Sequence, residues 1–281
     1  MVNDKGFFIP KVKKKAWDKY TEAKEMRSDK IDVESVVSSL LTIAHARVDV
    51  AACMAVIYLT ASRIHEIIRW EYFSKYRQEA ISLGYNIIKP GFELQQLSFY
   101  KDENGGLWWH FKTINLKQNS KKSADGIEIR ARLRMVQTTN YKEIRLPAFG
   151  DLPDMRLLKF VDMYFDSVLN VYRDDLHDVI AKAKPDSFIN PFKDECLKDT
   201  PFITLKYQIV YHYIITYMQM SPHNLRELRM QHLLRYYRFD IQDLHLVGGW
   251  SKKSSMALTY TKSKVSDMQK KFSDAIIANP I

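Results

Sequence analysis

Between Val48 and about Thr60 the chain is apolar almost all round. A helix over this stretch has no face to give to water, so it must sit at the centre of its domain with other elements packed around it. Cys53 lies within the run and reads as a small core residue. A neighbouring helix is expected over Val33–His45, with Asp32 as N-cap, Glu34 in its first turn and Val36, Val37, Leu40, Leu41 and Ile43–Ala44 along one face. A third is expected from Ser62 to Tyr76, with Ile64, Ile67, Ile68 and Trp70 as its apolar side.

The middle of the chain changes character. Leu94–Phe99, Leu107–Leu116, Ile127–Val136 and Ile144–Leu146 are rich in β-branched and aromatic residues and read as strands. Asn104-Gly105-Gly106 marks a hairpin turn, and Gln118–Gly126 reads as an exposed polar loop. Helical patterning returns at Met155–Leu169, Val171–Ala183 and Ile203–Met218, punctuated by Pro185, Pro191 and Pro201. Ser221-Pro222 then opens another helix, with proline at the first position. The fold class expected is α+β and mostly α, with one small antiparallel sheet set among helices.

Charge narrows the partners. Lys and Arg total 43 against 33 Asp and Glu, a net charge of +10 over 281 residues. Such a balance favours polyanions, nucleic acid or an acidic membrane surface, although basic solubility alone also accounts for it. The two cysteines, Cys53 and Cys196, make neither a disulfide framework nor a metal cluster. No apolar stretch reaches the roughly 20 residues that span a bilayer, and Met1–Lys15 lacks a signal-peptide core. The expected setting is intracellular, cytoplasmic or nucleoid-associated, with no membrane partner. Residues 1–31, with Lys11, Lys13, Lys14 and Lys15, read as a basic N-terminal arm or linker; 32–281 read as one domain with a C-terminal tail helix over Ser266–Ile281.

Three segments carry chemistry-bearing residues. In Thr60-Ala61-Ser62-Arg63-Ile64-His65-Glu66, an apolar helix delivers an Arg and a Glu at its end; taken alone, this is an ordinary surface salt bridge at i,i+3. In His223-Asn224-Leu225-Arg226 a proton carrier and a planar guanidinium fork stand three apart on a helix, a spacing common on plain helix faces. In Leu246-Val247-Gly248-Gly249-Trp250 a Gly pair ends a helix, and Thr259-Tyr260 follows shortly after.

Taken in order, Arg, His-x-x-Arg, Gly-Trp and Tyr resemble the tyrosine recombinase or phage integrase family. The resemblance covers about Asp32 to Ile281. It implies a helical catalytic domain with a small antiparallel β-sheet inserted between the first Arg box and the His-x-x-Arg box. It implies catalytic roles for Arg63, His223, Arg226 and Trp250, with Tyr260 as nucleophile, and Glu66 keeps the family's acidic position. A lysine on the strand turn completes the set; Lys117 fits best, with Lys121, Lys122 and Lys142 as rivals. The pattern departs in three ways. Ala61 stands where the family usually has Gly, the Trp250-to-Tyr260 interval is about one residue longer than typical, and Arg69–Glu93 looks inserted. Little room precedes Asp32 for the family's N-terminal DNA-binding domain. Tyr207, Tyr211, Tyr213, Tyr217, Tyr236 and Tyr237 compete with Tyr260, but only Tyr260 follows the Gly-Trp turn and a Thr.

The activity so implied is site-specific recombination or integration of double-stranded DNA through a 3′-phosphotyrosyl intermediate, as in mobile elements and viruses. No cofactor, metal or ATP is called for, and the assembly implied is a homotetramer on paired sites, monomeric in isolation. DNA-binding candidates are Lys121, Lys122, Arg130, Arg132, Arg134, Lys252 and Lys253; the alternating arginines share a strand face, which equally describes a charge-protected edge strand. Three alternatives stand beside this reading: a type IB topoisomerase-like activity, a catalytically degenerate DNA-binding module, and a basic helical interaction protein.

Overall fold

The computed structural model describes residues 33–68, 82, 91–115, 141–148, 152–166, 173–192, 194–197 and 200–250. The N-terminal arm, the arginine-bearing segment Arg130–Arg134 and everything after Trp250 lie outside them. The chain is α+β: among the described residues helices predominate, and four strands form one antiparallel sheet.

Helix α1 (Val33–Ala46) leads into α2 (Val48–Leu59), in which every residue from Val50 to Leu59 is buried. The all-round apolar pattern is thereby explained, because α2 is surrounded. Helices α1, α4 (Pro153–Tyr164), α6 (Tyr207–Met218) and α7 (Pro222–Arg235) all pack against it. At about 1.5–3 kcal/mol for each large apolar side chain removed from water, this one helix anchors the domain.

The helix expected from Ser62 to Tyr76 is interrupted early. Helix α3 covers only Ile64–Ile67, and Ile68 is extended with ψ at 132°. The Ile67 carbonyl, instead of continuing a helical ladder, accepts the backbone N–H of Phe92 at 3.0 Å. A 3-10 turn over Leu94–Gln96, with Leu94 buried, then precedes β1 (Leu97–Lys101), so the expected Leu94–Phe99 strand begins three residues later.

Strand β1 pairs with β2 (Leu107–Ile114), and β2 with β3 (Tyr141–Pro147). The hairpin turn falls where Asn104-Gly105-Gly106 predicts it, with Gly105 at φ 82° and the Asp102 N–H bonded to the Gly106 carbonyl at 2.8 Å. A short strand with no clear alternation in the sequence, β4 (Ser187–Ile189), adds to the other edge of β1, giving the order β3-β2-β1-β4. Between β3 and β4 come α4 and α5 (Arg173–Lys182). Leu97, Phe99, Trp109, Phe111 and Leu146 turn one face of the sheet into the main core. A second, smaller cluster joins Ala61, Met230, Leu233, Leu244 and Val247, with Ile144 and Trp250 packed on it. It ties the end of α2 and strand β3 to α7 and to α8 (Ile241–Gly248), and the candidate site lies beside it. No helix among the described residues is long and apolar enough to cross a membrane.

Candidate functional site

The site begins where α2 stops. Thr60 and Ala61 close the helix, with the Ala61 N–H bonded to the Tyr58 carbonyl and the Ser62 N–H to the Ile57 carbonyl, both at 3.0 Å. Ala61 sits at φ 47°, in the left-handed region where a β-carbon is disfavoured. That conformation suits Gly, and here Ala occupies it. The reversal brings Arg63 to the N-cap of α3. Glu66 then reaches back to accept from the Arg63 N–H at 2.8 Å and from its Nη1 at 2.7 Å. An i,i+3 pair is ordinarily a solvated surface feature, but this one is not: Glu66 is fully buried, while the Arg63 side chain keeps 28% of its surface exposed.

Two more cations converge on the same carboxylate. Lys142, on β3, places Nζ 3.4 Å from Glu66 Oε2, and Arg226, on α7, places Nη1 3.8 Å from it. Burial alone would raise the Glu66 carboxyl, yet Lys142, Arg63 and Arg226 together hold it below its ordinary value. Burial pulls the Lys142 ammonium down to about 7, with Glu66 opposing and Arg226 and Arg63 adding to the fall. Three cations therefore surround one carboxylate, and the local excess of positive charge suits an anion.

Helix α7 delivers Arg226 because Ser221 caps its first turn, its hydroxyl accepting the Asn224 N–H, and Pro222 occupies the first helical position. His223 and Arg226 lie one turn apart yet meet different surroundings: His223 is exposed, whereas Arg226 is buried. The Arg226 Nη2 donates to the Gly248 carbonyl at 2.8 Å, and its guanidinium lies 5.3 Å from the centre of the Trp250 ring.

The Gly pair is required by close approach. A β-carbon on Gly248 would stand 2.6 Å from the Trp250 ring. Gly249, at φ 62°, is the left-handed cap of α8, and its carbonyl accepts a hydrogen bond from Asn115 Nδ2. The end of β2 is thus fastened to the turn that presents Trp250.

Beneath this layer lies a second polar group. The Tyr58 hydroxyl and His232 Nδ1 are hydrogen-bonded, and the fully buried Arg229 lies 5.2 Å from the Tyr58 ring centre and 5.6 Å from that of Tyr237.

The structure accordingly brings Arg63 and Arg226 together on Glu66, with Trp250 against Arg226, and places His223 one turn from Arg226. Lys117, Lys121, Lys122, Arg130, Arg132, Arg134, Lys252, Lys253 and Tyr260 lie outside the described residues. Sequence reading treats Lys142 only as a rival for another role and passes over its burial. The signal was available: Lys142, Ile144 and Leu146 alternate onto one face of β3, and that face meets the core. Asn115, Arg229 and the Tyr58–His232 pair carry no comparable pattern. Among the described residues no group of His, Cys, Asp and Glu could hold a metal ion.

Comparisons with protein-family models, with curated proteins and with solved structures give no match.

Proposed function

We propose that this chain cleaves and rejoins double-stranded DNA as a tyrosine recombinase does, through a covalent link between Tyr260 and a phosphate. One observation carries the reading: Arg63 and Arg226, far apart in sequence, share the buried carboxylate of Glu66 beside Trp250. An ordinary surface salt bridge needs no such second guanidinium, whereas a phosphodiester transition state, with extra charge on its non-bridging oxygens, does. Arg63 offers its exposed edge to the phosphate. Arg226, buried against Trp250, supplies charge from the floor of the site.

In this reading the Tyr260 oxygen attacks phosphorus and forms a phosphotyrosyl bond to the 3′ side. His223 takes up the phenol proton, and the 5′ oxygen departs as a hydroxyl with a proton from Lys117. Tyrosine is a weak nucleophile with a pKa of about 10, and the surplus positive charge near Arg63 favours its phenolate. The phosphotyrosyl bond retains the energy of the broken phosphodiester, so rejoining needs no ATP. The position of the sheet between the Arg63 turn and the His223 helix belongs to the same reading, as does a homotetramer on paired sites. Lys121, Lys122, Arg130, Arg132, Arg134, Lys252 and Lys253 are proposed to contact phosphates, which position the duplex without reading its sequence.

The test is a nicked suicide substrate drawn from a pool of host and element DNA, run on a denaturing gel beside Tyr260→Phe. A protein–DNA band lost in the variant supports the reading, and exchange between paired sites separates recombination from simple relaxation of supercoils. A band that survives in Tyr260→Phe assigns the chemistry to another tyrosine. DNA binding with no band at all favours a binding module.

A further inference from the structure

Lys142 is a buried lysine with an unusual set of partners. Its Nζ donates to the Thr60 and Ala61 carbonyls, both at 3.0 Å, and faces Glu66 Oε2 at 3.4 Å. An ammonium has three N–H donors and no acceptor, so each donor has an acceptor here. Only 4% of the side chain is exposed. The two carbonyls belong to the turn that ends α2, where the left-handed Ala61 halts the helical ladder and leaves them facing β3. A cation at a helix C-terminus also complements the negative end of the helix dipole.

We propose that Lys142 is a positioning residue: it ties β3 to the Thr60–Ala61 turn and to Glu66, keeps Arg63 and Arg226 turned toward the bound phosphate, and does not protonate the leaving group. The identity of the anion rests on the function proposed above; the tie itself does not. A leaving-group acid must aim a donor at the departing oxygen, and Lys142 has all three directed into the protein. Among the described residues the charged groups facing it are Glu66 and Arg63 from the α3 segment and Arg226 from α7. With Lys142 protonated, three cations oppose one carboxylate. Its discharge, near pH 7, removes one of them and weakens the hold on an anion.

Two measurements on the full chain test this. The first needs no DNA: hydrogen exchange of the Ala61 and Ser62 amides in Lys142→Met against wild type. Exchange at least tenfold faster at these amides, with the β1–β2 hairpin unchanged, is expected; unchanged turn amides overturn the proposal. The second measures single-turnover adduct formation on suicide DNA with a bridging 5′ oxygen or a bridging 5′ sulfur, which leaves without needing a proton. A defect in Lys142→Met that persists with sulfur is expected, while Lys117→Met recovers. Recovery of Lys142→Met with sulfur overturns the proposal by making Lys142 the acid.

Lys142→Arg covers the case in which the Met variant does not fold. It keeps a permanent charge, so binding of a short duplex, measured in a Tyr260→Phe background, should fall severalfold less between pH 6 and 8 than in Tyr260→Phe alone, His223 being common to both. An identical fall in both proteins overturns the proposal. If wild type forms no Tyr260-dependent adduct, the recombinase reading fails, and the turn amides still decide the role of Lys142.

Discussion

Replacing Glu66 with Gln removes a carboxylate that three cations share while nearly keeping its shape. Breaking a buried ion pair by removing one partner costs about 3–5 kcal/mol, because the other charge is left uncompensated. Two features move Glu66→Gln to the lower end. Arg63 is partly exposed and recovers water, and Lys142, already held near 7, can shed its proton once the carboxylate is gone. Arg226, 2% exposed, has neither escape. A loss of about 3 kcal/mol is therefore expected, or roughly 6–12 °C in melting temperature at about 2–4 °C per kcal/mol for a domain of this size.

The pH dependence gives the same prediction a sign. The folded pKa of Glu66 lies below the ordinary 4.5. Its contribution is therefore complete above the unfolded value and is lost as pH falls through the folded one. Lys142 works in the opposite sense, since its folded pKa of about 7 lies below the ordinary 10.5. Its burial penalty is full below pH 7 and relieved as pH rises from 7 toward 10.5, where the unfolded chain still holds the proton. Urea unfolding of wild type and Glu66→Gln across about pH 2.5 to 9 measures both. The variant should lose the acid-side slope, and its lysine-linked rise should begin at lower pH. A variant within about 0.5 kcal/mol of wild type throughout, the range of ordinary surface substitutions, would refute the picture of Glu66 as the shared counter-ion.

Two further substitutions test the turns. Gly248→Ala places a β-carbon 2.6 Å from the Trp250 ring, so the indole must shift; a loss of about 1–3 kcal/mol in urea unfolding is expected, as for overpacking elsewhere. Ala61→Gly relieves a left-handed alanine at φ 47°, worth about 1–2 kcal/mol, against about 0.4–1 kcal/mol of added unfolded-state entropy. A small net stabilisation should appear as a raised urea midpoint with an unchanged slope.

Much of the architecture was legible because it rests on periodicity and punctuation. The unbroken apolar run of α2, the Ser221-Pro222 opening of α7, the Gly pair closing α8 and the Asn104-Gly105-Gly106 turn all occur where local chemistry dictates. The misses have physical causes as well. Strand β4 is three residues long, and Phe188 at its centre is half exposed, so no alternation marks it. Helix α3 has apolar residues at helical spacing past Ile67, but Phe92, distant in sequence, captures the carbonyl that would have extended it. Arg63, Arg226 and Trp250, which the candidate site brings near one another, are marked in the sequence by their order along the chain. The depth at which Glu66 and Lys142 lie depends on what covers them, and i,i+3 spacing carries no information about that. The same holds for His223 and Arg226, which share a helix but not an environment.

The register of β3 on β2 has a consequence for folding fidelity. Thr113 faces Lys142 across the ladder, and Phe111 faces Ile144. A slip of one residue would reverse every side chain of β3, sending Glu143 and Arg145 toward the core and withdrawing Lys142 from Glu66 and the Thr60–Ala61 turn. A misaligned sheet would therefore lose its hydrophobic face and dismantle the cation cluster in one step. Any activity that depends on the cluster is then a readout of correct strand alignment, and an off-register species should be silent rather than partly active.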